Sequence, residues 1–252
     1  VLVGPTAVGK TELAIEVAER IGAEIISADS RLFYRGMDIG TAKPTMEERK
    51  RVRHHLVDVA NPDETWSVAI FQQAARRCIE DNWARKKIPV LVGGTGQFIR
   101  AITEEWSIPV QAPDEKLREV LTRWGMEIGP AELHRKVALL DSEAAAHIEP
   151  NNLRRSVRAL EVMFLTGKRF SEQRQRKTSA YEICQVGLTR PREELYRLVD
   201  DRIEQMVAEG LVEEVKELLK NGYNPDLPAV SAIGYREITG VISGSSTLED
   251  AV

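Results

Sequence analysis

Apolar positions along the chain are grouped in two rhythms. Short unbroken runs form the first: Val1-Leu2-Val3 stops at Gly4, Ile25-Ile26 leads to Asp29, and Ile88, Val90, Leu91 and Val92 end on Gly93-Gly94-Thr95-Gly96. Runs without polar alternation predict strands covered on both faces, as in a parallel sheet. Between them the spacing lengthens to that of a helix. Leu13, Val17 and Ile21 recur every four residues and predict the buried stripe of a helix that Gly22 stops. Phe71, Ala75, Cys78 and Ile79, then Trp83, predict a crossover helix with Trp83 as a packing residue. Strands alternating with helices predict an α/β fold, a parallel sheet core flanked by helices.

From about residue 112 to 180 the helical period continues without strand runs, which predicts an all-helical insertion dividing the core into 1–111 and 181–252. On a helix starting near Asn151, Val157, Leu160 and Phe164 form the apolar side, while Arg154 and Arg158 share a face with Arg155 beside them. The core resumes with the strand "ICQVGLT" and a long amphipathic helix from about Glu193 to Leu219 that carries Arg202. Near the end "AVSAIGYREI" reads as a turn entering a helix, with Gly234 allowing close packing.

Composition narrows the class. A chain of 252 residues with 42% apolar content can bury one main core plus an insertion. Cys78 and Cys184 lie far apart with no CxxC spacing, so neither a disulfide framework nor a zinc site is indicated, and a reducing, cytoplasmic setting is expected. No run of about 18 apolar residues suggests a membrane span, and no signal pattern precedes the first strand. The net charge of -4 argues against a uniformly basic nucleic-acid binder. Locally, however, Lys168, Arg169, Arg174, Arg176 and Lys177 face only Glu172, a positive field of the kind that a phosphate backbone attracts.

The chemistry begins at Gly4-Pro5-Thr6-Ala7-Val8-Gly9-Lys10-Thr11, which satisfies GxxxxGK[ST] between a strand and a helix. Glycines there let backbone N–H groups converge on phosphate oxygens at the positive helix end, Lys10 adds a charge, and Thr11 offers a hydroxyl to Mg2+. Asp29 follows the second strand, where open α/β sheets collect ligands, and is the leading functional carboxylate; a turn or cap aspartate is the competing reading. Met37 and Ile39 read as packing residues, while Gly36, Gly40 and Pro44 mark an irregular segment. A nucleoside triphosphatase often places an Mg2+-binding Asp after the next strand, and here glycines and Thr95 stand instead. His54 and His55 lack metal-ligand partners at useful spacing and read as structural.

Taken in order, "GPTAVGKT", "ADSRLFYRGMDIGTAKP", "LVGGTG", "NNLRRSVRALEV" with "TGK", and "AIGYREI" resemble the tRNA dimethylallyltransferase (tRNA isopentenyltransferase) family over nearly the whole chain. The resemblance implies a P-loop NTPase-like core with the helical insertion contacting tRNA. It implies transfer of a dimethylallyl group from dimethylallyl diphosphate to the exocyclic amine of the adenosine 3' of the anticodon. Asp29 would be the general base, with Thr95 and Arg118 beside it. Gly4, Thr6, Ala7, Val8, Gly9, Lys10, Thr11 and Arg202 would hold the diphosphate, with Mg2+ on Thr11. The tRNA anticodon stem-loop would meet Asp29, Ser30, Arg31 and Leu32, then Arg154, Arg155, Ser156, Val157 and Arg158, and finally Ser231, Ala232, Ile233, Gly234, Tyr235 and Arg236. A cytoplasmic monomer is the expected form. Related chains usually continue past "LEDAV" into a basic, aromatic segment, and this chain opens inside its first strand, so the sequence is expected to be part of a longer one. Two other readings stay open: a P-loop nucleotide or small-molecule kinase, and a non-catalytic RNA-binding module.

Overall fold

The computed structural model describes residues 1–108, 114–173 and 179–252, which form two compact units: Val1–Thr103 with Tyr181–Val252, and Glu104–Ala180. The first change of unit falls where the helix after the fourth strand ends, ahead of the 111/112 boundary drawn from periodicity, which lies outside the described residues. Arg174, Arg176 and Lys177 of the basic cluster lie outside them too.

In the first unit, strands β1 (Leu2–Val3), β2 (Glu24–Ser27), β3 (His54–His55), β4 (Pro89–Gly93) and β5 (Val186–Gly187) make one parallel sheet of order β3-β2-β4-β1-β5. Helices α1 (Lys10–Ile21), α2 (Met46–Arg51), α3 (Val68–Ala84) and α4 (Gly96–Thr103) belong to this unit and flank the sheet. One core layer joins Ile26 and Leu91 to Phe33, Phe71 and Phe98, the last two rings stacked 4.3 Å apart. Another joins Leu2 and Ile25 to α1.

The stripe expected on α1 is not the buried one. Ala14, Ile15 and Ala18 face the sheet, Leu13 is half-buried, and Val17 and Ile21 are exposed. Small alanines let the helix backbone lie close to the strands, so the longer side chains are turned outward. Gly22 does end the helix, with a left-handed φ of 66°. Sequence reading missed β3: two histidines offer no apolar run, yet His54 and His55 pair with Ile25 and Ile26. Glu24 accepts hydrogen bonds from Arg85 and meets His55 Nε2 at 2.6 Å, which gives that histidine a structural role. Trp83 and Ile88 are half-exposed, although Trp83 sets its ring edge-on to Tyr181.

The second unit holds α5 (Glu115–Ile128), α6 (Pro130–Leu140), α7 (Ser142–Ala146), α8 (Leu153–Thr166) and α9 (Phe170–Gln173) around Leu121, Leu133, Val137, Val157 and Leu160. Phe164, expected on the apolar side, is exposed. In the first unit again, the expected long helix is two: α10 (Arg192–Ala208) and α11 (Leu211–Lys220), broken where Gly210 takes φ 106°. Helices α12 (Tyr235–Ile242) and α13 (Leu248–Ala251) complete the chain. Met37 is fully buried with Tyr34, Leu211, Val215, Tyr235 and Ile238, and half-buried Ile39 packs on the same cluster.

Candidate active site

The carboxyl ends of β1, β2, β4 and β5 lie along one edge of the sheet, because all four strands run parallel. After β1 the chain turns through the phosphate loop into α1. Gly9 precedes the helix at φ 95°, a left-handed conformation that glycine adopts without steric cost, and no side chain caps the first turn. The helix N–H groups are therefore open to an anion. Thr6 and Thr11 are exposed at this mouth, Ala7 also has positive φ, and Val8 turns its side chain into the protein. Lys10 folds back on its own loop, donating to Gly4 O at 2.9 Å and Pro5 O at 2.6 Å.

Asp29 sits half-buried two residues beyond β2. Its Oδ1 accepts the Arg31 N–H at 3.0 Å, so the carboxylate does form a local turn. Among the described residues its other oxygen has no hydrogen bond. Burial lowers the pKa of Lys10, and the Asp29 charge opposes that shift while Arg202 adds to it. Arg202 is lowered by burial and opposed by Asp29 in the same way. The three charges thus share one field at the sheet edge. Thr95 is held beside them, its Oγ1 accepting the Ser30 N–H at 3.1 Å. A β-carbon on Gly93 would lie 2.3 Å from Ala28 O, so glycine there lets β4 and the turn after β2 pack without a gap.

Arg31 reaches across to Pro228 O at 2.6 Å, tying the 228–236 segment to the residues after Asp29. Within that segment Ser231, Ile233 and Arg236 are exposed, but Ala232 and Tyr235 are core residues, and Tyr235 donates to Glu214 Oε1. Their side chains are not available to RNA. Gly234 takes φ 90° as it leads into α12 with open space around it, so conformation rather than close packing explains it. Leu32 is half-buried.

In the second unit Arg154 and Arg155 are exposed, whereas the side chains of Ser156 and Val157 are buried in its core and do not present themselves to RNA as the two arginines do. Arg118 belongs to this unit. Its Nη2 donates to both oxygens of Glu161, at 3.1 and 2.9 Å, and Arg158 Nη1 reaches the same carboxylate at 2.9 Å. Glu161 is fully buried; burial works to raise its pKa, and the hydrogen bonds from Arg158 and Arg118 outweigh this to hold it below the usual range.

A family profile described as IPP transferase matches residues 32–252. The chain belongs to the IPP transferase family. Proteins named tRNA dimethylallyltransferase from Thermomicrobium roseum and from a Roseiflexus species are each 49% identical over 100% of this chain, which spans 76% and 82% of them. A crystal structure of the full-length tRNA isopentenylpyrophosphate transferase from Bacillus halodurans is similar with a TM-score of 0.71 at 43% identity, covering 99% of this chain and 78% of that one. A eukaryotic dimethylallyltransferase captured acting on tRNA gives a TM-score of 0.81 at 27% identity, over 99% of this chain and 64% of that one.

This IPP transferase has a P-loop NTPase-like core; the profile begins at residue 32, while the two 49% identical relatives align over the phosphate loop and Asp29 as well. Sequence reading of this IPP transferase missed two residues. Arg190 donates its Nε to Val8 O at 3.3 Å, a neighbour visible only once β5 is known to pair with β1. Glu161 carries a fainter signal, three residues after Arg158 on one helix.

Proposed function

We propose that this IPP transferase moves a dimethylallyl group from dimethylallyl diphosphate to the exocyclic amine of the adenosine 3' of a tRNA anticodon, releasing diphosphate. The observation that carries the reading is the shared sheet edge that holds the phosphate loop after β1, Asp29 after β2 and Thr95 after β4, where the Asp29 charge also bears on Lys10 and Arg202. The amine is a poor nucleophile, since its lone pair is delocalised into the ring. As it bonds to the allylic carbon, the carbon–oxygen bond to diphosphate breaks and the amine proton passes to the Asp29 carboxylate. Negative charge then builds on the departing diphosphate, where the loop N–H groups, Lys10 and Arg202 face it.

Among the described residues no three His, Cys, Asp or Glu side chains cluster as a metal cage. Mg2+ suits a site of few protein donors, because it keeps several waters and shares phosphate oxygens. Thr11, exposed in the first turn of α1, would hold it, and the ion would supply positive charge to the diphosphate. The adenine must leave its stack to meet Asp29. Ser30, Arg31, Leu32, Ser231, Ile233, Gly234 and Arg236 then border the tRNA in the first unit, and Arg154 and Arg155 serve it in the second. We propose that it acts as a monomer in the cytoplasm; no described helix is long and apolar enough to cross a membrane.

Incubation with labelled dimethylallyl diphosphate, unmodified tRNA and Mg2+ but no ATP is expected to label the tRNA. Strict dependence on ATP would replace this reading with a kinase.

A further inference from the structure

Strand β5 lies beside β1, and its chain leaves the sheet at the edge where the phosphate loop begins. Three residues on, Arg190 turns back to that loop: Nε donates to Val8 O at 3.3 Å, and a β-carbon added to Gly9 would lie 3.9 Å from Nη2. The guanidinium therefore faces the bare Cα of the glycine that opens α1. Glu194, in the first turn of α10, pairs with Nη1. Lys10 bonds Gly4 O and Pro5 O on the same loop, so two cations rest on loop carbonyls, and the Pro5 and Val8 carbonyls belong to the peptides that carry the Thr6 and Gly9 N–H groups.

We propose that Arg190 is a further cation of the diphosphate site, beside Lys10 and Arg202; this rests on the reading that the loop takes an allylic diphosphate. Arg190 steadies the Val8–Gly9 peptide through Val8 O and offers Nη2 to a terminal phosphate oxygen. A guanidinium suits that double task, since its planar fork can serve two acceptors at once, whereas an ammonium is a point charge. The competing role is a plain surface ion pair with Glu194, both side chains being nearly half-exposed.

Binding of inorganic diphosphate with Mg2+, measured by calorimetry on the full chain, separates the two. Arg190→Ala is expected to weaken binding by roughly tenfold or more, the scale of a charge-assisted hydrogen bond, and to raise the KM for dimethylallyl diphosphate with tRNA affinity unchanged. Arg190→Lys is expected to recover part of the loss. Glu194→Gln breaks the same ion pair and is expected to leave diphosphate affinity within about twofold, as exposed pairs contribute little. Equal losses in Arg190→Ala and Glu194→Gln, or no loss in Arg190→Ala while Lys10→Ala binds poorly, would overturn the proposal alone. Undiminished binding by Lys10→Ala would overturn the reading of the loop beneath it.

Discussion

Asp29 has two oxygens and two tasks. One closes the turn to Arg31, as the competing sequence reading had it, and the other, with no hydrogen bond among the described residues, is the one that the proposed function gives to the amine. Asn keeps the turn but is a poor proton acceptor, so Asp29→Asn should slow single-turnover prenylation by roughly 10²- to 10⁴-fold with folding intact. Near-normal turnover would make Asp29 a cap only, since Asn caps as well as Asp. Recovery in excess Mg2+ would make it a metal partner. A separate residue, Glu24, tests acid stability. Hydrogen bonds from Arg85, and then from His55, take its pKa from 4.5 to about 2 against the effect of burial. A folded value below the unfolded one means that the contribution is complete above about 4.5 and fades as pH falls toward about 2. Denaturation midpoints of Glu24→Gln should therefore change less than wild type across that window; identical slopes would remove the pair from the stability account. Lys10 and Asp29 could be singled out in the sequence because phosphate loops and strand ends have fixed chemistry. That the side chains of Ser156, Val157, Ala232 and Tyr235 are buried could not be read there, because a motif taken whole does not say which of its residues point inward.

Helix α8 divides its arginines between two tasks. Arg154 and Arg155 are free to meet a phosphate backbone, so replacing both with Ala should lower tRNA affinity and reduce the salt slope by roughly one per lost contact. An unchanged slope would mark a merely solvated face. Arg158→Ala should act differently, because it strips one partner from buried Glu161: a stability loss of about 1–3 kcal/mol is expected from thermal unfolding, even without RNA. Helix α11 shows a similar burden. Glu214 accepts the N–H groups of Asp38, Ile39 and Gly40 and the hydroxyl of Tyr235, which pins the irregular segment after Asp29. Glu214→Ala should lower the unfolding temperature and loosen that segment in hydrogen exchange; unaltered protection at residues 38–40 would show the segment held by other means. Buried Lys43, bonded to Tyr34 O, Asp38 and Asp58, is the obvious candidate. The bracing by Glu214 was not readable from the glycines and proline that marked the segment, since that carboxylate comes from far along the chain.

At the scale of the molecule, the parallel sheet and its helical insertion were legible because continuous apolar runs and long helical periods are strong signals. The two histidines of β3 leave no apolar run, and although β5 was readable as a strand, its place beside β1 was not, so the neighbour that this pairing creates, Arg190, stayed hidden. The order β3-β2-β4-β1-β5 has a further effect during synthesis. Leu2 pairs with Val92 on one side and Val186 on the other, so the strand that leads into the phosphate loop is made first and flanked last. At ~5–20 residues per second the ribosome needs roughly 10–40 s to deliver the second neighbour. Meanwhile the helical unit, compact in itself and built from one continuous stretch of chain, can fold as soon as it emerges. Nascent chains arrested before β5 should then hold a protease-resistant helical unit beside a cleavable amino terminus, and the phosphate loop should gain protection only once that strand is out.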